Sequence, residues 1–130
     1  MNLKQFHALS LRGTDVQEAI HRLYDDEAIY SKFLVTFLDD QTMAELNEAI
    51  EDREWDEAFT SAHALKGLAG NMGFMPLMNS VGRLTVLIRG GRKTEAGEYM
   101  EQVNSCYRDI TDAIHEYIAL SDKENKENEI

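Results

Sequence analysis

Apolar residues recur along most of this chain at the three- and four-residue spacing of an amphipathic helix. No segment shows the two-residue alternation of a half-buried strand, and no Asn-Gly turn joins two apolar runs. The pattern therefore predicts an all-α protein. Its clearest apolar stripe belongs to a helix that begins near Asp52 or Arg53, and it comprises Trp55, Ala58, Phe59, Ala62, Leu65 and Ala69.

Local signals mark where several of these helices begin. Thr14–Gln17 and Thr42–Glu45 both match the capping box, in which a hydroxyl and a Glu or Gln side chain satisfy free backbone amides. Each match predicts a helix start. Between them, Asp25–Glu27 begins another short helix. The predicted core-facing residues of that helix are Ile29, Phe33 and Phe37.

Glycine and proline set the boundaries in the second half of the chain. Gly73 is placed to end or bend the helix that contains the apolar stripe, and Pro76 suits the first turn of the next helix. Arg89–Thr94 reads as a loop because it contains two adjacent glycines. The final helix keeps its apolar register over Ala96–Ile118, which predicts the longest helix of the protein.

Four substantial helices with short connections predict an antiparallel four-helix bundle, with one or two short additional helices on its N-terminal side. The 130 residues fit a single domain, which we place at residues 1–120. Residues 121–130 are polar and highly charged, so we expect a solvated, disordered tail there.

The negative charge of the chain limits the classes of partner that it is expected to bind. Acidic residues number 24 against 13 basic ones, for a formal charge of -11, and such a surface repels nucleic-acid phosphates and anionic lipids. No apolar run approaches the roughly 18 residues of a membrane span. The lone Cys106 excludes an intramolecular disulfide. We therefore expect a cytoplasmic protein that binds neither nucleic acid nor membranes, with a monomer as the default oligomeric state.

The stretch "HALKGLAG", His63–Gly70, carries the candidate chemistry. On a helical wheel centred on the apolar stripe, His63 lies about 80° to one side. Lys66, Gly67 and Gly70 follow it at i+3, i+4 and i+7, so the four residues form one continuous strip. Each glycine inside a helix costs roughly 0.5–1 kcal/mol relative to alanine, so two of them call for an explanation.

Two interpretations of this strip remain open at this point. The glycines could leave bare backbone as a docking surface, on which a partner reaches the nucleophilic imidazole while Lys66 steadies a phosphoryl group. Alternatively, the glycines could only let another helix pack closely, with Lys66 as a solvated side chain.

A family resemblance favours the first interpretation. Ala62–Phe74, "AHALKGLAGNMGF", resembles the A-H-x-L-K-G-x-A-x-x-x-G signature of the histidine-phosphotransfer (HPt) domains of bacterial multistep phosphorelays. The resemblance extends more loosely over Thr14–Ile118. It implies a four-helix bundle in which His63 accepts a phosphoryl group, through Nε2. The residues that match the signature are Ala62, His63, Leu65, Lys66, Gly67, Ala69 and Gly73.

The resemblance also implies partners and roles. His63 would take the phosphoryl group from an aspartyl phosphate on a response-regulator receiver domain and return it to another receiver, with Lys66 near the phosphate and Gly67 leaving space for the docked partner. A hybrid sensor histidine kinase is a further candidate partner. The chain would act as a phosphocarrier without turnover of its own and without a cofactor. Mg²⁺ is expected from the receiver domain.

One residue departs from the family pattern, and two other functions remain as alternatives to phosphotransfer between receivers. Thr85 stands where the family often has Glu. The alternatives are a module that binds a receiver or another partner without accepting phosphate, and the phosphotransfer domain of a chemotaxis-type kinase. The remaining histidines lack the spacing of metal ligands, which predicts no metal site; they are His7, His21 and His115.

Overall fold

The computed structural model describes the backbone of residues 1–128 and the side chains of residues 1–121. Within these residues the chain forms helices and no strands, apart from an isolated bridge between Thr14 and Phe74. The all-α prediction is therefore confirmed. The helices are α1 Leu3–Ser10, α2 Val16–Arg22, α3 Glu27–Phe37, α4 Thr42–Glu51, α5 Trp55–Met72, α6 Met75–Arg89 and α7 Lys93–Asn128.

Helices α4 to α7 form the predicted four-helix bundle. Each packs against the next along the chain, and α4 also contacts α7. Residues late in α5 lie near residues early in α6, as Gly70 and Met78 do, whereas Phe59 lies near Arg89 at the other end. Neighbouring helices are thus antiparallel, as expected for connections of two or three residues.

A third short helix, α1, precedes the two that the sequence predicts. It begins with a reciprocal cap: the Asn2 side chain accepts a hydrogen bond from the Gln5 amide, and the Gln5 side chain accepts one from the Asn2 amide. Gln5 also donates to the Tyr117 carbonyl at 3.2 Å, which ties α1 to α7. The pair Asn2 and Gln5 was a local signal for this helix that the sequence analysis missed.

The two predicted capping boxes are wrong in detail. Asp15, not Thr14, caps α2 by accepting a hydrogen bond from the Glu18 amide at 3.2 Å. The backbone of Thr14 instead pairs with the connection between α5 and α6, and its buried hydroxyl has no partner among the described residues. Thr42 is the first residue of α4, and its amide donates to the Asp40 side chain at 2.9 Å.

Helix α3 turns a different face to the core than predicted. Ile29 and Phe33 are 41% and 43% exposed, so placing them in the core was wrong. The register is shifted because the contacts of α3 with α5 bury another row of side chains. That row consists of Tyr30, Leu34 and Phe37, of which Phe37 is buried as predicted.

The C-terminal end of α5 is fixed as the sequence predicts. Gly73 ends α5 in the left-handed conformation at φ +78°, and a Cβ atom there would lie 2.5 Å from the Asp15 carbonyl oxygen. Pro76 occupies the first turn of α6. The Tyr30 hydroxyl donates to the Met72 carbonyl at 2.9 Å, and burial raises the pKa of this phenol, which keeps it protonated as a donor.

Two further expectations concern the C-terminal tail and the absence of a membrane-spanning helix. The sequence predicts a disordered charged tail at residues 121–130, but the backbone of α7 is helical through Asn128. The side chains after residue 121 lie outside the described part of the chain, so their solvation stays a prediction. None of the described helices combines the length and apolar character required to cross a bilayer.

Candidate functional site

The strip predicted on α5 lies on the outer surface of the bundle. His63, Lys66 and Gly67 are exposed, and Gly70 is half-buried. The opposite side of the same helix faces the core, as the 3.6-residue period requires. Trp55 and Phe59, predicted for the apolar stripe, are only half-buried at its edge. The fully buried residues of α5 are Ala58, Ala62, Leu65, Ala69 and Met72.

The imidazole of His63 is held by an aromatic contact. Its ring stacks on Phe59, one turn earlier in α5, with centroids 6.2 Å apart and an interplanar angle of 10°. Among the described residues, no group forms a hydrogen bond or an ion pair with either ring nitrogen. No described residue therefore competes with an incoming partner for a ring nitrogen of this exposed side chain.

Gly67 leaves a gap in the helix surface one turn after His63. A Cβ atom built at Gly67 would meet nothing within 4 Å. The residue has ordinary helical geometry, so neither its backbone conformation nor a close neighbour among the described residues requires a glycine. The effect of the glycine is to remove side-chain volume beside the imidazole.

Lys66 places an ammonium group beside the same surface. Its methylene chain rests on Gly82 of α6, where a Cβ atom would lie 3.5 Å from the Lys66 Cε atom and 3.9 Å from Nζ. Within the described residues, no carboxylate forms an ion pair with Lys66. Residues three apart on a helix are surface neighbours, so this cation is within reach of a group bound at His63.

Comparison with known families decides what class of module this is. The family model of the Hpt domain matches residues 31–117, which is more than half of the chain. The protein belongs to the Hpt domain family. Comparison with curated proteins and with solved structures gave no match.

Membership assigns a general function to the fold. An Hpt domain is a histidine-phosphotransfer module of phosphorelays and interacts with receiver domains. The matched span begins within α3 and ends within α7, so it contains the whole strip on α5. Helices α1 and α2 precede it.

Gly70 of this Hpt domain has a different environment from Gly67. A Cβ atom there would lie 3.1 Å from the Met78 Sδ atom of α6. The Gly70 carbonyl accepts a hydrogen bond from Arg22 Nη1 of α2 at 2.6 Å. Close helix packing therefore accounts for a small residue at this position, and its role in docking stays a prediction.

Thr85 does not replace the expected Glu as a polar partner of the histidine. The side chain is 9% exposed, and its hydroxyl donates to the Gly82 carbonyl of its own helix at 2.6 Å. The site of this Hpt domain thus has a threonine bonded within α6 at the position where the resemblance leads us to expect a carboxylate.

Apolar side chains flank the strip on both sides. Val86 of α6 is 70% exposed and lies one turn from Gly82, on the side of Lys66. On the other side, Phe33 and Leu68 border a groove of about 210 Å³ between α3 and α5. The sequence analysis missed both Val86 and Phe33: it placed Phe33 in the core and assigned no role to Val86.

The other histidines lie apart from this site. His21 is exposed on α2, and its Nδ1 atom lies 3.4 Å from Oδ1 of Asp25. His115 is exposed on α7, and the His7 ring is tilted against Phe6 on α1. Among the residues with described side chains, no group of three or more His, Cys, Asp and Glu residues is arranged to hold a metal ion.

Proposed function

We propose that this Hpt domain accepts a phosphoryl group on His63 from the aspartyl phosphate of one receiver domain and passes it to a second receiver. The observation that carries the proposal is the exposed imidazole, to which no described residue forms a hydrogen bond, beside the open backbone of Gly67 and the ammonium group of Lys66. Gly67 and Gly70 belong to the docking surface in this proposal.

The transfer needs one nucleophile and correct alignment. The Nε2 lone pair of neutral His63 attacks phosphorus, and the N–P bond forms as the P–O bond to the aspartyl group breaks. The aspartate leaves as a carboxylate, while the imidazole keeps its proton on Nδ1. In the second step a carboxylate of the next receiver attacks phosphorus and the imidazole leaves. The domain is therefore a phosphocarrier that is regenerated only through its partners.

The partner proteins supply the phosphoryl donor, the phosphoryl acceptor and the metal ion. The donor receiver can be part of a hybrid sensor histidine kinase, and the acceptor is a response regulator. Mg²⁺ comes with the receiver and neutralises charge on the phosphoryl oxygens. This chain contributes the nucleophile, a cation and the docking face, and it acts as a cytoplasmic monomer in this proposal.

We expect Lys66→Met to slow transfer about ten- to a hundredfold at saturating receiver. The substitution keeps the aliphatic contact with Gly82 but removes the charge, and a charge-assisted hydrogen bond to a phosphoryl oxygen contributes roughly 1.5–3 kcal/mol. Lys4→Met is the matched control, because Lys4 is exposed on α1. An unchanged rate in Lys66→Met, measured by transfer of labelled phosphate, would remove Lys66 from the mechanism.

The proposal is tested by mixing the protein with a receiver domain labelled at its aspartyl phosphate. We expect label on this chain that is lost in acid and kept in alkali, as phosphohistidine behaves, and that then moves to a second receiver. Binding without label would favour the non-catalytic binding module. Label supplied by a kinase domain and ATP, but never by a receiver, would favour a chemotaxis-type phosphotransfer domain.

A further inference from the structure

Imidazoles that take part in chemistry are commonly oriented by a hydrogen bond at the second ring nitrogen. His63 has no such partner among the described residues, and the hydroxyl of Thr85 is engaged with the Gly82 carbonyl. If transfer requires a fixed orientation of the His63 imidazole, a contact other than a hydrogen bond has to limit the rotation of this ring. The stacked ring of Phe59 is the contact that the structure provides.

Phe59 is itself held from two sides. It is half-buried at the edge of the core, and the Cζ atom of Arg89 on α6 lies 5.0 Å from the centroid of its ring. The guanidinium group is attracted to the aromatic face, so it favours the position of Phe59 in which the ring is covered. A restrained Phe59 then presents a fixed surface to the imidazole of His63.

We propose that Phe59, steadied by Arg89, is a positioning residue for His63. This inference rests on the proposed function, because it matters only if the imidazole attacks phosphorus. In-line attack requires the nitrogen lone pair to point at phosphorus, and parallel stacking reduces the orientations that the ring can adopt. Stacked aromatic pairs are favoured by an amount equivalent to about two- to tenfold in an equilibrium.

The test compares Phe59→Leu, which removes the ring, with Phe59→Tyr, which keeps it. The control is Phe6→Leu, because Phe6 is also half-buried and contacts a histidine, His7, but on α1. We expect Phe59→Leu to lower the maximal transfer rate about three- to tenfold with KM for the phosphorylated receiver changed less than twofold. Phe59→Tyr and Phe6→Leu should stay within twofold of the parent protein.

A second measurement does not depend on transfer. In the unphosphorylated parent protein, NMR should detect contacts between ring protons of Phe59 and His63, and their absence would overturn the inference. If Phe59→Leu fails to fold, as judged by circular dichroism, Phe59→Met replaces it in the rate comparison, since methionine fills irregular apolar space.

The remaining outcomes separate this inference from the proposed function. A parent-like rate in Phe59→Leu, a loss confined to KM, or an equal loss in Phe6→Leu would overturn the positioning role while His63 remains the phosphoacceptor. No label on the parent protein would overturn both. A lower maximal rate in Phe59→Leu, together with rescue by Phe59→Tyr, supports the positioning role.

Discussion

His63→Gln is expected to reduce phosphoryl transfer ~10³-fold or more, because the carboxamide nitrogen of glutamine has no available lone pair to attack phosphorus. The side chain remains polar, of similar size and on the same exposed face of α5. Because the substitution also removes the stack on Phe59, we expect the free energy of unfolding to fall by no more than about 1.5 kcal/mol. The measurement is covalent label after incubation with a phosphorylated receiver, alongside a thermal melt.

The control for His63→Gln is the same substitution at another exposed histidine. His115 lies on α7 and has no part in the proposed transfer. We expect His115→Gln to be labelled like the parent protein. Label that persists on His63→Gln would place the phosphoacceptor elsewhere, and loss of label in His115→Gln would point to α7 instead.

The faces of α5 could be predicted because the helix is long and its pattern is internally consistent. Over 18 residues, one stripe repeats often enough that only one register puts it in the core. The 11 residues of α3 offer two competing rows, one through Phe33 and one through Tyr30, and both have helical three- or four-residue spacing and end at Phe37. Packing against α5 decides between them, and no local pattern contains that information.

The predicted residues of the site share one helix, and this is why the sequence could bring them together. His63, Lys66 and Gly67 lie on adjacent turns, so helix geometry alone makes them neighbours. Contacts between helices could not be predicted in the same way. The support of Lys66 by Gly82 depends on how α6 crosses α5.

Phe59 shows the same limit within the site. Its position on the wheel predicted a core residue, whereas the structure leaves it half-exposed between the core and the imidazole. A wheel cannot separate an aromatic ring inside the core from one at its edge, because both lie on the apolar side. The contact of Phe59 with Arg89 depends on how α6 packs against α5, so the position of Phe59 at the edge of the core could not be predicted from the pattern of α5 alone.

Gly67→Leu should produce opposite effects on stability and on transfer. Replacing glycine in a helix by leucine removes a propensity cost of about 0.5–1 kcal/mol, and the Cβ atom meets nothing within 4 Å, so we expect a more stable protein. Transfer should fall about a hundredfold or more, because the side chain fills the gap beside His63 and a misplacement of about 1 Å can cost that much.

Gly97→Leu separates these two effects. Gly97 is exposed inside α7, and a Cβ atom there also meets nothing within 4 Å, so both variants should gain similar stability in denaturant unfolding. Only Gly67→Leu should lose transfer. Equal transfer by the two variants would mean that the receiver does not approach over Gly67, and the helix glycine would then need another explanation. Gly67→Ala, whose methyl group occupies far less of the gap, should lie between the parent protein and Gly67→Leu in transfer rate.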